Sequence, residues 1–199
     1  MSEISRRVLL RSIAVTMVAS GAVEAQDGEH VHQMAAVDKK ATAGVYQPKA
    51  LNAHEYATLD RLTDWIIPAE GDSPGAKAAG AAAWIDMLAS ANEQLLAIYT
   101  GGLAWLDHAM VEETGKDFLS STRASQMALL DKIAYRKNNS PQLGPGIQFF
   151  DWARRMTVDA YYTSKIGIED LGYRGNAPTP KFEVPAEALQ YALKKSGYA

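Results

Sequence analysis

The sequence predicts an all-α protein, a single compact domain of five to six helices preceded by a signal peptide and an extended polar arm. Three observations predict it. Apolar residues recur at steps of three and four in several segments, the spacing of one helix face. Those segments open on capping residues such as Asn52 and Asn92 and close on glycine or proline. No segment alternates apolar and polar residues over the length of a half-buried strand.

The first element is a leader, MSEISRRVLLRSIAVTMVASGAVEAQ. Arg6, Arg7 and Arg11 give it a basic start, and an apolar stretch follows from Ser12 to Val23. That stretch falls short of the roughly 20 apolar residues that cross a bilayer. Val23-Glu24-Ala25 offers a peptidase site with the cut after Ala25. Basic start, apolar middle and small-residue cleavage site make a signal peptide. The adjacent arginines, with Ser5 before them and Leu9-Leu10-Arg11 after, select the twin-arginine version. An ordinary secretory signal that happens to contain Arg-Arg is the alternative. Residues 1–25 are thus the expected signal, 26–50 a polar linker or arm without periodicity, and 51–199 the helical domain.

The first domain helix starts at Asn52, where Glu55 three residues on completes a capping-box pattern. Tyr56, Leu59, Leu62 and Ile66 form its apolar series and Pro68 stops it. Ala69 to Lys77 reads as a loop. The alanine-rich stretch Ala78 to Ala91 reads as a second helix with Trp84, Ile85 and Leu88 facing inward. Asn92 caps a third, whose seam is Leu96, Tyr99, Leu103, Leu106 and Met110 and whose end is Gly115. Gly101-Gly102 interrupts that seam, which implies a close neighbouring backbone or a bend. A fourth helix starts at Ser121 or Thr122 and uses Met127, Leu130 and Ile133. A fifth runs from about Ile147 to Ser164 with Phe149, Ala153, Met156 and Ala160 on one face. Gly167 to Pro180 reads as a loop, and Pro185 opens a last short helix that ends before Gly197.

Composition narrows the function. A formal charge of −3 gives no sign of binding to nucleic acid or an anionic membrane surface. The absence of cysteine removes disulfides, thiolate iron–sulfur sites and thioether haem attachment in this chain. No strand leads into a G-x-G-x-x-G turn, so a dinucleotide site of that kind is not expected. His30 and His32 have metal-like spacing but no evident third ligand, and read as an exposed pair. His54 is expected to be solvated, and His108 partly buried and hydrogen-bonded. Glu112-Glu113 and Glu169-Asp170 do not form a catalytic pair by spacing, since adjacent helical residues point apart. Trp65, Trp84, Trp105 and Trp152 each lie one step from a core series and divide between core and interface.

Several blocks taken together resemble one family. They are Leu51-Asn-Ala-His-Glu-Tyr-Ala-Thr-Leu-Asp60, Trp65-Ile-Ile-Pro-Ala69, Pro74-Gly-Ala76, Ala79-Gly80 leading to Trp84-Ile-Asp86, Phe149-Phe150, Tyr161-Tyr-Thr-Ser164 and Leu171-Gly-Tyr-Arg-Gly-Asn176. Their order and spacing resemble subunit 3, the small subunit, of gluconate 2-dehydrogenase-type flavoprotein dehydrogenases. The resemblance implies a non-catalytic subunit that carries no cofactor of its own. Its partner would be a large FAD-bearing subunit that oxidises a sugar, sugar acid or polyol, in many members joined by a multihaem cytochrome c subunit with haem c. It further implies a periplasmic location, held at the inner membrane through the complex, after export by the twin-arginine translocase. The alternatives are a purely structural subunit and a stand-alone periplasmic enzyme or metal protein using the histidines. Irregular polar–aromatic segments on a helical scaffold tend to carry contacts. The expected partner interface is therefore the loop Pro68–Ala76 with the Tyr161–Tyr173 region, through Pro68, Pro74, Tyr161, Tyr162 and Tyr173.

Overall fold

The computed structural model describes residues 25–42, 44–173, 175 and 184–196. Arg6, Arg7 and the apolar run of the leader lie outside the described residues, as do Arg174 and Asn176. Among the described residues there are nine α-helices and no strand, so the domain is all-α.

The helices are α1 (Ala25–Ala41), α2 (Ala53–Ile66), α3 (Gly75–Ala78), α4 (Ala81–Ala89), α5 (Glu93–Thr114), α6 (Arg123–Ile133), α7 (Gly144–Tyr162), α8 (Lys165–Asp170) and α9 (Ala186–Ser196). A 3-10 turn at Arg136–Asn138 joins α6 to α7. Helix α4 lies at the centre, and α1, α2, α3, α5 and α7 all pack against it. All nine of its residues are buried. A helix apolar on nearly every side belongs in an interior, and α4, apolar but for Asp86, occupies it.

The capping residues act as expected. The Asn52 side chain accepts from the Glu55 N–H at 2.9 Å, and the Glu55 carboxylate accepts from the Asn52 N–H at 2.8 Å. Asn92 and Thr122 cap α5 and α6 through the N–H groups of Leu95 and Ser125. Each such cap satisfies a donor that a helix start otherwise leaves unpaired, worth about 1 kcal/mol. Gly115 closes α5 at φ +75°, a left-handed conformation that a side chain would resist. The seam residues Tyr99, Leu103, Leu106 and Met110 are buried, while Leu95 takes the place expected of Leu96.

The Gly101-Gly102 interruption has a specific cause. A Cβ on Gly102 would stand 2.0 Å from the Phe149 ring, and one on Gly146 would stand 2.2 Å from the Trp105 ring. Each of α5 and α7 thus gives up a side chain to receive an aromatic ring of the other. The close neighbour is a side chain, not a backbone.

Two expectations are corrected. The stretch read as an extended polar arm is helical over Ala25–Ala41, and α1 packs on α4. Its inward face is Gly28, Val31, His32 and Ala35, which has helical spacing but little apolar bulk. The stretch from Gly167, read as loop, opens inside α8, because the Ser164 hydroxyl accepts from the Gly167 N–H at 3.0 Å and starts a short helix. Gly167 reads as a breaker, but it is small because a Cβ there would meet the Tyr161 carbonyl at 2.0 Å.

Candidate functional site

The two segments expected to carry an interface meet in space. In the loop after α2, Glu70 and Ser73 exchange backbone hydrogen bonds at 3.0 and 2.9 Å, which folds the loop into a tight turn. Gly75 sits at φ +74°, and a Cβ there would stand 2.6 Å from the Ala69 nitrogen, so the turn back toward Pro68 requires glycine. The Ser73 hydroxyl and the Tyr161 hydroxyl lie 2.8 Å apart. This bond ties the loop to the last turn of α7. Burial pushes the Tyr161 phenol above its usual range, and the Asp170 carboxylate beside it adds to the rise, while the bond to Ser73 opposes it.

Tyr161 is fully buried, so it is an internal fastener and not a contact residue. Pro68 is half-buried and Pro74 exposed. Tyr162 and Tyr173 are exposed at 40% and 61%, and Leu171 between them at 61%. The Tyr161 and Tyr162 rings meet edge to face with centroids 5.0 Å apart. Two exposed tyrosines and an exposed leucine, at the end of α7 and just after α8, are side chains of the kind that protein interfaces use. Ala25, the expected cleavage residue, is the first residue of α1.

The histidines fall differently from expectation. His32 is not exposed. Its ring stacks near Trp84 with centroids 6.0 Å apart, and its Nε2 lies 2.7 Å from the Ala160 carbonyl oxygen. Burial lowers its pKa, and the bond to Ala160 partly offsets this. His108 is exposed and reaches Glu112 at 3.3 Å, because its step on α5 points it away from the Leu106–Met110 seam. His54 is exposed, as expected, and its Nε2 lies 2.7 Å from the Asp107 carboxylate. Glu113 pairs with Lys132, and Glu169 with Lys165. Among the described residues no three His, Asp or Glu side chains are placed to hold a metal ion.

Trp84 is fully buried and donates to the Gly28 carbonyl at 3.1 Å, which helps fix α1 on α4. The other three tryptophans are half-buried. Trp65 donates to Gln126 at 2.8 Å and carries the Arg123 guanidinium over its ring at 4.7 Å.

Sequence reasoning missed two clusters. Asp86 is a fully buried carboxylate that accepts from Tyr46 Oη at 2.8 Å and from the N–H groups of Lys49, Ala50 and Leu51 at 2.7, 3.1 and 2.9 Å. Four donors occupy its lone pairs, so it fastens the segment before α2 to α4 and has none free for a substrate. Burial pushes the Tyr46 phenol far up, and its bond to Asp86 adds to the rise. The only trace in sequence is one acid in an apolar helix. The second cluster is on the surface. Arg136, Arg154 and Arg155 converge on Asp151 at 3.0, 3.0 and 2.8 Å. Burial alone would raise the Asp151 pKa, but the hydrogen bond from Arg136 and the surrounding guanidinium charges outweigh it and hold the carboxyl low.

A family model described as gluconate 2-dehydrogenase subunit 3 matches residues 53–180. No curated protein and no solved structure matches the chain. The match covers more than half of the chain, running from the first residue of α2 to beyond α8.

Proposed function

Since this chain belongs to the gluconate 2-dehydrogenase subunit 3 family, we propose that it is the non-catalytic small subunit of a periplasmic FAD-dependent dehydrogenase complex. It supports maturation and export of the flavoprotein large subunit, and it sits at the inner membrane through that complex. FAD belongs to the large subunit and haem c to a cytochrome subunit. The family match across the helical domain carries this reading. The exposed side chains of Pro74, Tyr162, Leu171 and Tyr173 support it, because aromatic and apolar groups left to solvent are what an interface covers.

The leader supplies the mechanism. A twin-arginine address moves proteins that are already folded, which suits a flavoprotein that must close around FAD first. The large subunit folds in the cytoplasm, docks on this helical chain and leaves on the address carried by Arg6 and Arg7. Export as one complex avoids reassembly of two diluted chains. Substituting Arg6→Lys together with Arg7→Lys tests the arrangement. The flavoprotein is then expected to accumulate in the cytoplasm, read by fractionation and flavin fluorescence. Normal periplasmic levels of the flavoprotein would overturn the shared export and leave a purely structural subunit.

A further inference from the structure

Gly101 and Gly102 adjoin each other in α5, but only one of them is required by contacts among the described residues. Gly102 leaves room for Phe149, whereas a Cβ on Gly101 would meet nothing within 4 Å. Gly101 is exposed in mid-helix, where glycine is a poor helix residue and alanine a good one. No contact within the described chain accounts for the missing side chain. Gly101 instead opens onto a cleft of about 250 Å³, lined by Ile98 and Trp105 from α5 and by Gln148, Phe149 and Trp152 from α7. The reciprocal seating of Phe149 on Gly102 and Trp105 on Gly146 fixes two of these rings before anything binds.

Size and charge say what fits. Pockets for small ligands and cofactors enclose roughly 300–1,000 Å³, so this cleft is sized for one or two side chains. Its rim is basic. Trp152 follows Asp151 directly, and Arg155 lies one turn beyond Trp152 on α7. Three largely exposed guanidiniums share the single Asp151 carboxylate, which leaves a local surplus of positive charge on a chain of net charge −3. Such a surplus steers and orients a negatively charged partner.

We propose that the α5–α7 cleft seats an apolar side chain carried on an acidic segment of the flavoprotein large subunit, with Arg136, Arg154 and Arg155 pairing the acidic residues. This rests on the small-subunit reading. It adds a second contact, separate from the tyrosine surface at the end of α7.

The test co-expresses the tagged full chain with its flavoprotein and measures capture as flavin bound per chain over a salt series. Gly101→Leu fills the cleft from a position with open space around it. It is expected to keep the wild-type melting temperature or raise it, and to weaken capture at least ten-fold. Arg154→Glu with Arg155→Glu alters only exposed members of the adjoining basic cluster. It is expected to weaken capture and flatten the salt dependence. Capture by both variants at the wild-type level overturns the proposal. So does loss of self-association in Gly101→Leu with flavoprotein capture intact, which would make a second copy the occupant. If the wild-type chain captures no flavoprotein, the small-subunit reading fails as well.

Discussion

Helices α4 and α9 are similar in length, at 9 and 11 residues, and opposite in surroundings. Every residue of α4 is buried and no residue of α9 is. Helix α4 is held by five neighbouring helices and by the bonds from Tyr46 and three backbone N–H groups to Asp86. Helix α9 presents Leu189, Tyr191 and Leu193 to solvent. Helices shorter than about 12–15 residues are marginal in water without packing. The contrast separates what the chain uses to fold from what it leaves unused. The Gly102–Phe149 seating and the Ser73–Tyr161 bond belong with α4. Gly101, Tyr162 and Tyr173 belong with α9.

Substitutions on the two sides of this division should differ in size and in sign. The largest effect is expected from Asp86→Ala. It takes the acceptor from three backbone N–H groups and the Tyr46 hydroxyl, two of them buried, at a cost of about 3–5 kcal/mol. Urea unfolding would read it as a large drop in the midpoint, and a drop below 1 kcal/mol would break the comparison. Gly102→Ala pushes a methyl into the Phe149 ring and is expected to cost about 1–3 kcal/mol. Gly101→Ala, one residue away, is expected to stabilise by up to about 1 kcal/mol. Thermal melts of that pair should therefore move in opposite directions at adjacent positions.

A smaller effect is expected from pH. Burial holds the folded-state pKa of His32 below its ordinary value of 6.5. As pH falls below that value the unfolded chain takes up the proton first, so the stability His32 contributes near neutral pH is lost toward its lower folded pKa. Amide protection in α1, taken relative to the intrinsic exchange rate at each pH, should therefore fall from pH 7.5 to 5.5 more in the wild type than in His32→Gln. Truncation after residue 183 is expected to do least. It removes α9 and its helical signal, and leaves the urea midpoint of the remaining domain unchanged.

Much of the fold was legible because its signals are local. The capping box at Asn52–Glu55, the caps at Asn92 and Thr122 and the Leu103–Leu106–Met110 seam depend on residues within a few positions of one another. Helix α1 was not legible. Its inward face uses Gly28, His32 and Ala35, and their fit depends on Trp84 and Ala160, distant in sequence. The same distance hid Asp86, whose donors come from 35 to 40 residues earlier in the chain. Tyr161 and Tyr162 look alike in sequence, and the structure divides them because only Tyr161 has Ser73 within reach of its hydroxyl. The Pro74 loop and the end of α7 are each legible as irregular polar–aromatic segments, but not that they meet. Nor is the bond that joins them.

On the proposed function, this chain holds no redox group of its own and works by binding a flavoprotein that does. The most direct measurement is the absorption spectrum and dehydrogenase activity of the tagged chain purified from the periplasm, before and after separation from what binds it. Flavin absorbance and turnover are expected in the complex, and a colourless, inactive chain once separated. A separated chain that keeps its own chromophore or turns over substrate alone would contradict the proposed function.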